Sequence, residues 1–444
     1  MTKRKKSAPA LAPAGQLQDL RPPRPDTAWF THDRLGLFLH WGLYSLAARH
    51  EWMRSRERMT AADYHRYFER FEPDLFDARA WAAAAVSAGM RYAVLTVKHH
   101  EGFCLWDSAH TDFKATNTLA KRDLVAEFVA AFRAAGLKVG LYYSLIDWHH
   151  PDFSVDEHHP LRDDPRARAA SRRCRPARYA AYMRDQVREL LTGYGRIDLM
   201  WFDFSYPGPD GKGRRAWESE KLYALVQELQ PHVLIDNRLD LPGSGDFVTP
   251  EQYVPDDGMR GPDGARLVWE GCQTFSGSWG YHRDEAGWKS SSQLLQMLVH
   301  HVSRGGNLLL NVGPNGRGEF DPRALERLAA LGAWMRLHSR SIYGCGPAPD
   351  GLREPRDARY TYDAKNARLY VHLFAWPFKE ILLPGLAGKV RYAQLLNDAS
   401  ELILRDASTA VHPDHNTRPA AGDLVLELPT AKPPVELPVI ELML

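Results

Sequence analysis

From residue 29 onward the chain alternates short apolar runs with stretches whose apolar residues recur at helical spacing. The runs at 35–41, 92–97, 137–144, 197–203, 233–237, 267–270 and 307–312 read as strands. The segments 77–88, 124–135, 179–191, 222–229, 291–303 and 322–339 read as helices. Strand then helix, repeated, builds a parallel sheet, because each crossover starts the next strand in the same direction. About seven such units fit a (β/α)8 TIM-like barrel with inserted loops better than an open sheet. The glycine-rich phosphate fingerprint of doubly wound folds is absent from the early strand-to-helix turns. After Gly344 the helical period disappears. Short β-type runs at 359–362, 369–373, 424–428 and 439–442, separated by Pro and Gly, predict a small antiparallel β-sandwich. The expected organisation is an α/β chain in three parts: a flexible, basic and Pro-rich arm at 1–27, a catalytic barrel at 28–345 and a C-terminal sandwich at 346–444.

Composition narrows the function mainly by exclusion. The 57 basic and 55 acidic residues leave a net charge of +2, which calls for neither nucleic acid nor an anionic membrane as partner. No run of 18 apolar residues suggests a membrane span. The start Lys3-Arg4-Lys5-Lys6 resembles the first part of a secretion signal. The Pro-rich stretch that follows is no apolar h-region, so a cytoplasmic location is expected. Four well-separated cysteines, Cys104, Cys174, Cys272 and Cys345, read as free thiols.

The chemistry sits at the C-terminal ends of the strands, where barrel enzymes place their catalytic groups. The run Ile197-Asp198-Leu199-Met200-Trp201-Phe202-Asp203 ends on a carboxylate between aromatics. Asp203 reads either as a nucleophile or base beside a sugar-sized pocket, or as a cap of the next loop. Other strand ends and loops supply His40-Trp41-Gly42, His50-Glu51-Trp52, Lys98-His99-His100-Glu101, Tyr142, Asp236-Asn237-Arg238, Thr249-Pro250-Glu251 and Trp269-Glu270. So many polar and aromatic groups at one barrel mouth suit a ligand rich in hydroxyls, with indole covering its apolar face. A metal held by His99 and His100, with His40 and Asp203, is not expected, since adjacent strand residues face opposite ways. No Gly-x-Ser-x-Gly elbow marks a serine hydrolase.

These blocks, with Ser278-Trp279-Gly280-Tyr281 and the run from Gly305 through Asn311 to Pro314, resemble the α-L-fucosidases of glycoside hydrolase family 29 over residues 28 to 345. The resemblance implies cofactor-free, retaining exo-hydrolysis of terminal α-L-fucosyl linkages through a covalent fucosyl-enzyme intermediate, with a fucosylated glycan or glycoside as partner. It implies Asp203 as nucleophile. Glu251 is the first choice for acid/base and Glu270 the second. His40, Glu51, Trp52, His99, His100, Tyr142, Trp201 and Arg238 match its fucose-binding positions: His40, Glu51, His99 and His100 toward the hydroxyls, Trp52 and Trp201 as walls. The chain departs from the pattern at Phe204, where many relatives carry Gly, and in the Gly- and charge-rich loop 208–215. A catalytically weak fucose-binding module and a glycosidase for another sugar remain as alternatives. Linkage, aglycone and oligomeric state are not encoded in these motifs.

Overall fold

The computed structural model describes residues 20–22, 24, 27–406, 420 and 422–444. Seven parallel strands form one curled sheet: β1 (Leu35–Leu39), β2 (Tyr92–Lys98), β3 (Lys138–Ser144), β4 (Leu199–Asp203), β5 (Leu234–Ile235), β6 (Glu270–Thr274) and β7 (Asn307–Val312). Their order is β5-β4-β3-β2-β1-β7-β6, so the first strand lies inside the sheet, paired with both β2 and β7. Every residue of β1, β2, β6 and β7 is buried, as expected of strands covered by helices on one face and filled by side chains on the other. The helices Ala78–Ser87, Leu124–Ala134, Pro176–Gly193, Ser219–Leu229, Ser291–Ser303 and Pro322–His338 supply the outer layer. Polar caps start several of them: Asp77 accepts from two backbone N–H groups, and Ser290 with Gln293 closes a reciprocal capping box.

The edge strands β5 and β6 are joined through a segment the apolar pattern does not mark as a strand. Residues 247–251 make isolated parallel bridges to both sides, Asp236 to Phe247, Val248 to Trp269 and Glu251 to Cys272. The segment contains Thr249, Pro250 and Glu251, so it has no apolar run to read, and Pro250 has no N–H for a regular ladder. Its start is anchored by the buried Asp246, which accepts from the Ile235 N–H and pairs with Arg21 and Arg24. The arm expected to be flexible is therefore tied to the sheet at these two residues; most of the rest of it lies outside the described residues. A second correction concerns the sixth strand. The apolar pattern predicts it at 267–270, but it runs Glu270–Thr274, so Glu270 opens the strand instead of ending it.

At the C-terminus, β8 (Ala358–Asp363), β9 (Arg368–Leu373), β11 (Tyr392–Leu395) and β14 (Val439–Met443) form a four-stranded antiparallel sheet in the order β11-β14-β9-β8. The strands β10 (Glu380–Leu383), β12 (Leu404–Asp406) and β13 (Leu424–Glu427) form a second one. Tyr360, Val371, Leu383, Leu426 and Ile440 belong to one apolar cluster drawn from both sheets. The indole of Trp334, on the helix Pro322–His338, donates to the Leu437 carbonyl and ties the two parts together. Among the described residues no helix is long and apolar enough to cross a membrane.

Candidate active site

Asp203 is the last residue of β4, and its register partner is Ser144, the last residue of β3. Both oxygens of its carboxylate accept hydrogen bonds. The Tyr142 hydroxyl donates to Oδ2 at 2.8 Å, while Arg238 at 2.7 Å and the Phe204 N–H at 2.8 Å donate to Oδ1. That last bond depends on Phe204 adopting φ +77°, in the left-handed region where a bulky residue is strained. Burial, reinforced by Asp203, pushes the Tyr142 hydroxyl well above its ordinary value, so it stays protonated as a donor.

Arg238 joins this carboxylate to a second one. Its other terminal nitrogen donates to Glu251 at 3.0 Å and to the Thr249 carbonyl at 3.2 Å, and its Nε donates to the Thr249 hydroxyl at 2.9 Å. The guanidinium also lies over the Trp201 ring, 4.5 Å from its centroid. Burial opposes the charge on Arg238, but Asp203 and Glu251 outweigh it and hold the group charged. Asn237 secures the same segment by accepting from the N–H and hydroxyl of Thr249.

Both carboxylates line a cavity of about 590 Å³. His40, Glu51, Trp52, His99, Tyr142, Trp201 and Arg238 line it with them. Two expected residues do not. Glu270 is fully buried inside the sheet, where the Tyr92 hydroxyl and the Trp201 indole donate to its two oxygens. Trp201 is in the cavity wall; Glu270 accepts from its indole behind that wall. This follows from its place at the start of β6, and burial pushes its carboxyl up to about 7. His100 also lies off the cavity, stacked on Trp148 at 4.1 Å and packed against Trp52 at 4.5 Å.

His40 shows how a distant residue sets a proton. Its Nδ1 lies 2.7 Å from Oδ1 of Asn311, whose amide nitrogen donates to the Trp279 carbonyl. The amide oxygen is thus the acceptor, Nδ1 carries the proton, and Nε2 is left as an acceptor. Burial holds the imidazole down at about 3, so it is neutral at ordinary pH. Asn311 belongs to the late motif 305–314, whose role the sequence does not disclose. Gly313 belongs there for a related reason: a Cβ would meet the backbone at Gly280 and Tyr281 at about 2.6 Å, displacing the turn that carries Trp279. Trp279 packs 5.1 Å from His40 and lines the cavity, as do Phe38 and Phe204. Glu51 accepts from the Gly280 N–H at 2.7 Å, a second tie to that turn.

The histidine pair departs from the alternation of side chains along a strand. β2 ends at Lys98, so His99 and His100 lie beyond it, and their rings are 4.0 Å apart. With Glu101 they form a buried trio whose ligand-type atoms all lie within 4.8 Å of one another. Among the described residues, both oxygens of Glu101 and both nitrogens of His100 lack hydrogen-bond partners. Burial pushes the Glu101 carboxyl up to about 8 and His99 and His100 well down. Among the described residues, these three form the group that could hold a metal ion. Lys98 instead points away from the cavity, to Tyr143, Asp147 and Gln186.

Neutral buried histidines make stability depend on pH. His40 and His372 are held down at about 3 and His301 at about 4, against about 6.5 in the unfolded chain. A depressed histidine stabilises the fold above its unfolded value, and that stability is lost as pH falls toward the folded value, because the unfolded chain binds the extra protons. The melting temperature should therefore fall by roughly 10 °C or more between pH 6.5 and 4, as followed by circular dichroism. A flat profile over that range would show that these imidazoles do not stay neutral.

Known proteins resemble this chain in sequence and in fold. A family profile described as "Alpha-L-fucosidase" matches residues 12–340. The chain is 30% identical to the tissue α-L-fucosidase of Mus musculus over 381 residues, covering 80% of this chain and 79% of the relative. It is 31% identical to the plasma α-L-fucosidase of Rattus norvegicus over 389 residues, 82% and 80% of the two chains. The structure of α-L-fucosidase isoenzyme 1 from Paenibacillus thiaminolyticus superposes with a TM-score of 0.87 at 47% identity, covering 94% of this chain and 98% of that one. A family 29 α-L-fucosidase from Bacteroides thetaiotaomicron, trapped as a covalent intermediate, superposes with a TM-score of 0.80 at 26% identity, over 95% and 96% of the two chains.

Proposed function

The chain belongs to the α-L-fucosidase family of glycoside hydrolases, and on that premise we propose that Asp203 is its nucleophile and Glu251 its acid/base. The observation that carries this reading is the single guanidinium of Arg238 held between the two carboxylates at one cavity. Asp203 attacks C1 of the fucosyl ring while Glu251 protonates the departing glycosidic oxygen. Glu251 then takes a proton from water as the water cleaves the fucosyl ester. Arg238 and Tyr142 hold Asp203 in place by donating to its two carboxylate oxygens. Glu251 suits proton exchange with the leaving group because its side chain is 44% exposed. Glu270 has both oxygens occupied behind Trp201 and becomes a support for that wall.

His40, Glu51 and His99 meet the sugar hydroxyls, with Nε2 of His40 accepting. Trp52, Trp201 and Phe204 enclose the ring and its methyl group. His100 supports this layer from behind. The sheet is read as a (β/α)8 barrel whose missing position is taken by 247–251, with residues 28–345 as the catalytic unit and the two C-terminal sheets, 346–444, as an appended sandwich. Proton transfer through these carboxylates needs no metal; of the trio, His99 lines the cavity, with His100 and Glu101 buried behind it.

The test is release of 4-nitrophenol from the α-L-fucoside, with the α-D- and β-D-galactosides beside it, before and after dialysis against EDTA. Release from the fucoside alone, unchanged by EDTA, is expected. Preference for a galactoside would move the chain to another sugar. Loss on EDTA treatment restored by one divalent ion would make the histidine trio a metal site.

A further inference from the structure

Resting on the placement of Glu251 as acid/base, we propose that Tyr253 is the platform of an aglycone subsite that takes a second sugar ring. Tyr253 follows Glu251 by two residues, and both line the cavity. Between them Gln252 adopts φ +60°, a conformation that costs energy for a residue with a side chain. That turn is pinned to β6 at two points: the Gln252 N–H donates to the Cys272 carbonyl at 3.0 Å, and its side chain donates to the Thr274 hydroxyl at 3.1 Å. The strained turn therefore fixes where the chain carries Tyr253 relative to Glu251.

Tyr253 is 47% exposed although it lies in a cavity wall, and among the described residues its hydroxyl has no protein partner. The inner wall differs: His40, His99, Tyr142 and Trp201 are all at least 96% buried and already packed on one another. A half-exposed aromatic beside the acid is apolar area still to be covered, and the C–H face of a pyranose covers it with its hydroxyls left at the edge. The rest of the mouth offers partners for those hydroxyls. Asp240 lines the cavity, and among the described residues only its Oδ2 is engaged, by the Arg214 N–H at 2.9 Å. His158 also lines it, with its ring packed edge-on against Tyr206 at 4.6 Å and Trp52 at 5.7 Å. A single flat platform with a carboxylate and an imidazole around the rim fits a hydroxylated ring better than a purely apolar leaving group.

The test compares α-L-fucosyl fluoride, which has no aglycone to bind and needs no acid, with 1,2-, 1,3-, 1,4- and 1,6-linked fucosyl disaccharides. In Tyr253→Ala the ratio of kcat/KM for the preferred disaccharide to that for the fluoride should fall by about tenfold, the size expected for removing one exposed aromatic contact. Tyr253→Phe, which keeps the ring, should hold the ratio within about threefold of the parent. Equal losses on both substrates in Tyr253→Ala would make the residue structural and overturn the proposal. So would an unchanged ratio, or a parent enzyme that cleaves the fluoride but none of the disaccharides. A Glu251→Ala enzyme whose kcat/KM falls as much on the fluoride as on the disaccharides would instead overturn the acid/base placement on which the subsite rests.

Discussion

Asp203→Ala should lower turnover of 4-nitrophenyl α-L-fucoside by about 10⁴-fold or more, because the atom that bonds to C1 is gone. The substitution also removes the acceptor of three donors, Tyr142, Arg238 and the Phe204 N–H. Arg238 still has Thr249 and Glu251, so the site keeps its charge and outline. Two checks separate lost chemistry from lost structure. Sugar affinity, measured by fucose titration, should survive. Azide should fill the vacated space and restore part of the turnover on the activated substrate, releasing a fucosyl azide of inverted anomeric configuration. Retained fucose binding without azide rescue would count against Asp203 as nucleophile.

Glu251→Ala should produce a second large effect, graded by the leaving group. Protonation matters little when 4-nitrophenolate departs and greatly when a sugar alkoxide does. The first chemical step should thus slow by about 10²- to 10⁴-fold on fucosyl disaccharides and far less on the aryl fucoside. Glu270→Gln should behave differently. It disturbs the bonds from Tyr92 and Trp201 behind the cavity, so its loss should be similar for both substrates. If the leaving-group dependence follows Glu270 and not Glu251, the two roles are exchanged. The pH dependence of the Glu251 variant on the aryl fucoside, which should lose its basic limb, gives an independent reading of the same proton.

These carboxylates differ in how plainly the amino-acid order marks them. Asp203 lies at the end of an apolar run, and strand-end carboxylates in a barrel are legible from local pattern alone. Glu251 lies in a segment with a proline and no apolar alternation, and its position comes from bridges to Asp236-side and Cys272-side neighbours that no local period records. For the competing Glu270 the apolar pattern misplaces the end of the strand by four residues. The sequence Glu270-Gly271-Cys272-Gln273-Thr274 has little hydrophobic signal, and it becomes a strand because β7 pairs with it from Asn307 to Asn311.

By itself, then, the amino-acid order determined the alternation of strands and helices, the change of texture after Gly344, and the set of histidines, tryptophans and carboxylates available at the mouth. Those features depend on neighbours within a few residues, where the 3.6 and 2.0 periods operate. Only the tertiary structure decided which of them meet. Arg238 reaches Asp203 and Glu251, which lie 35 residues before it and 13 after it, and Asn311 sets the proton on His40 across 271 positions. Glu270, also a carboxylate, is withdrawn behind Trp201. Contacts of that span follow from closing the sheet and packing its interior, and a carboxylate's chemistry follows from what that packing leaves beside it.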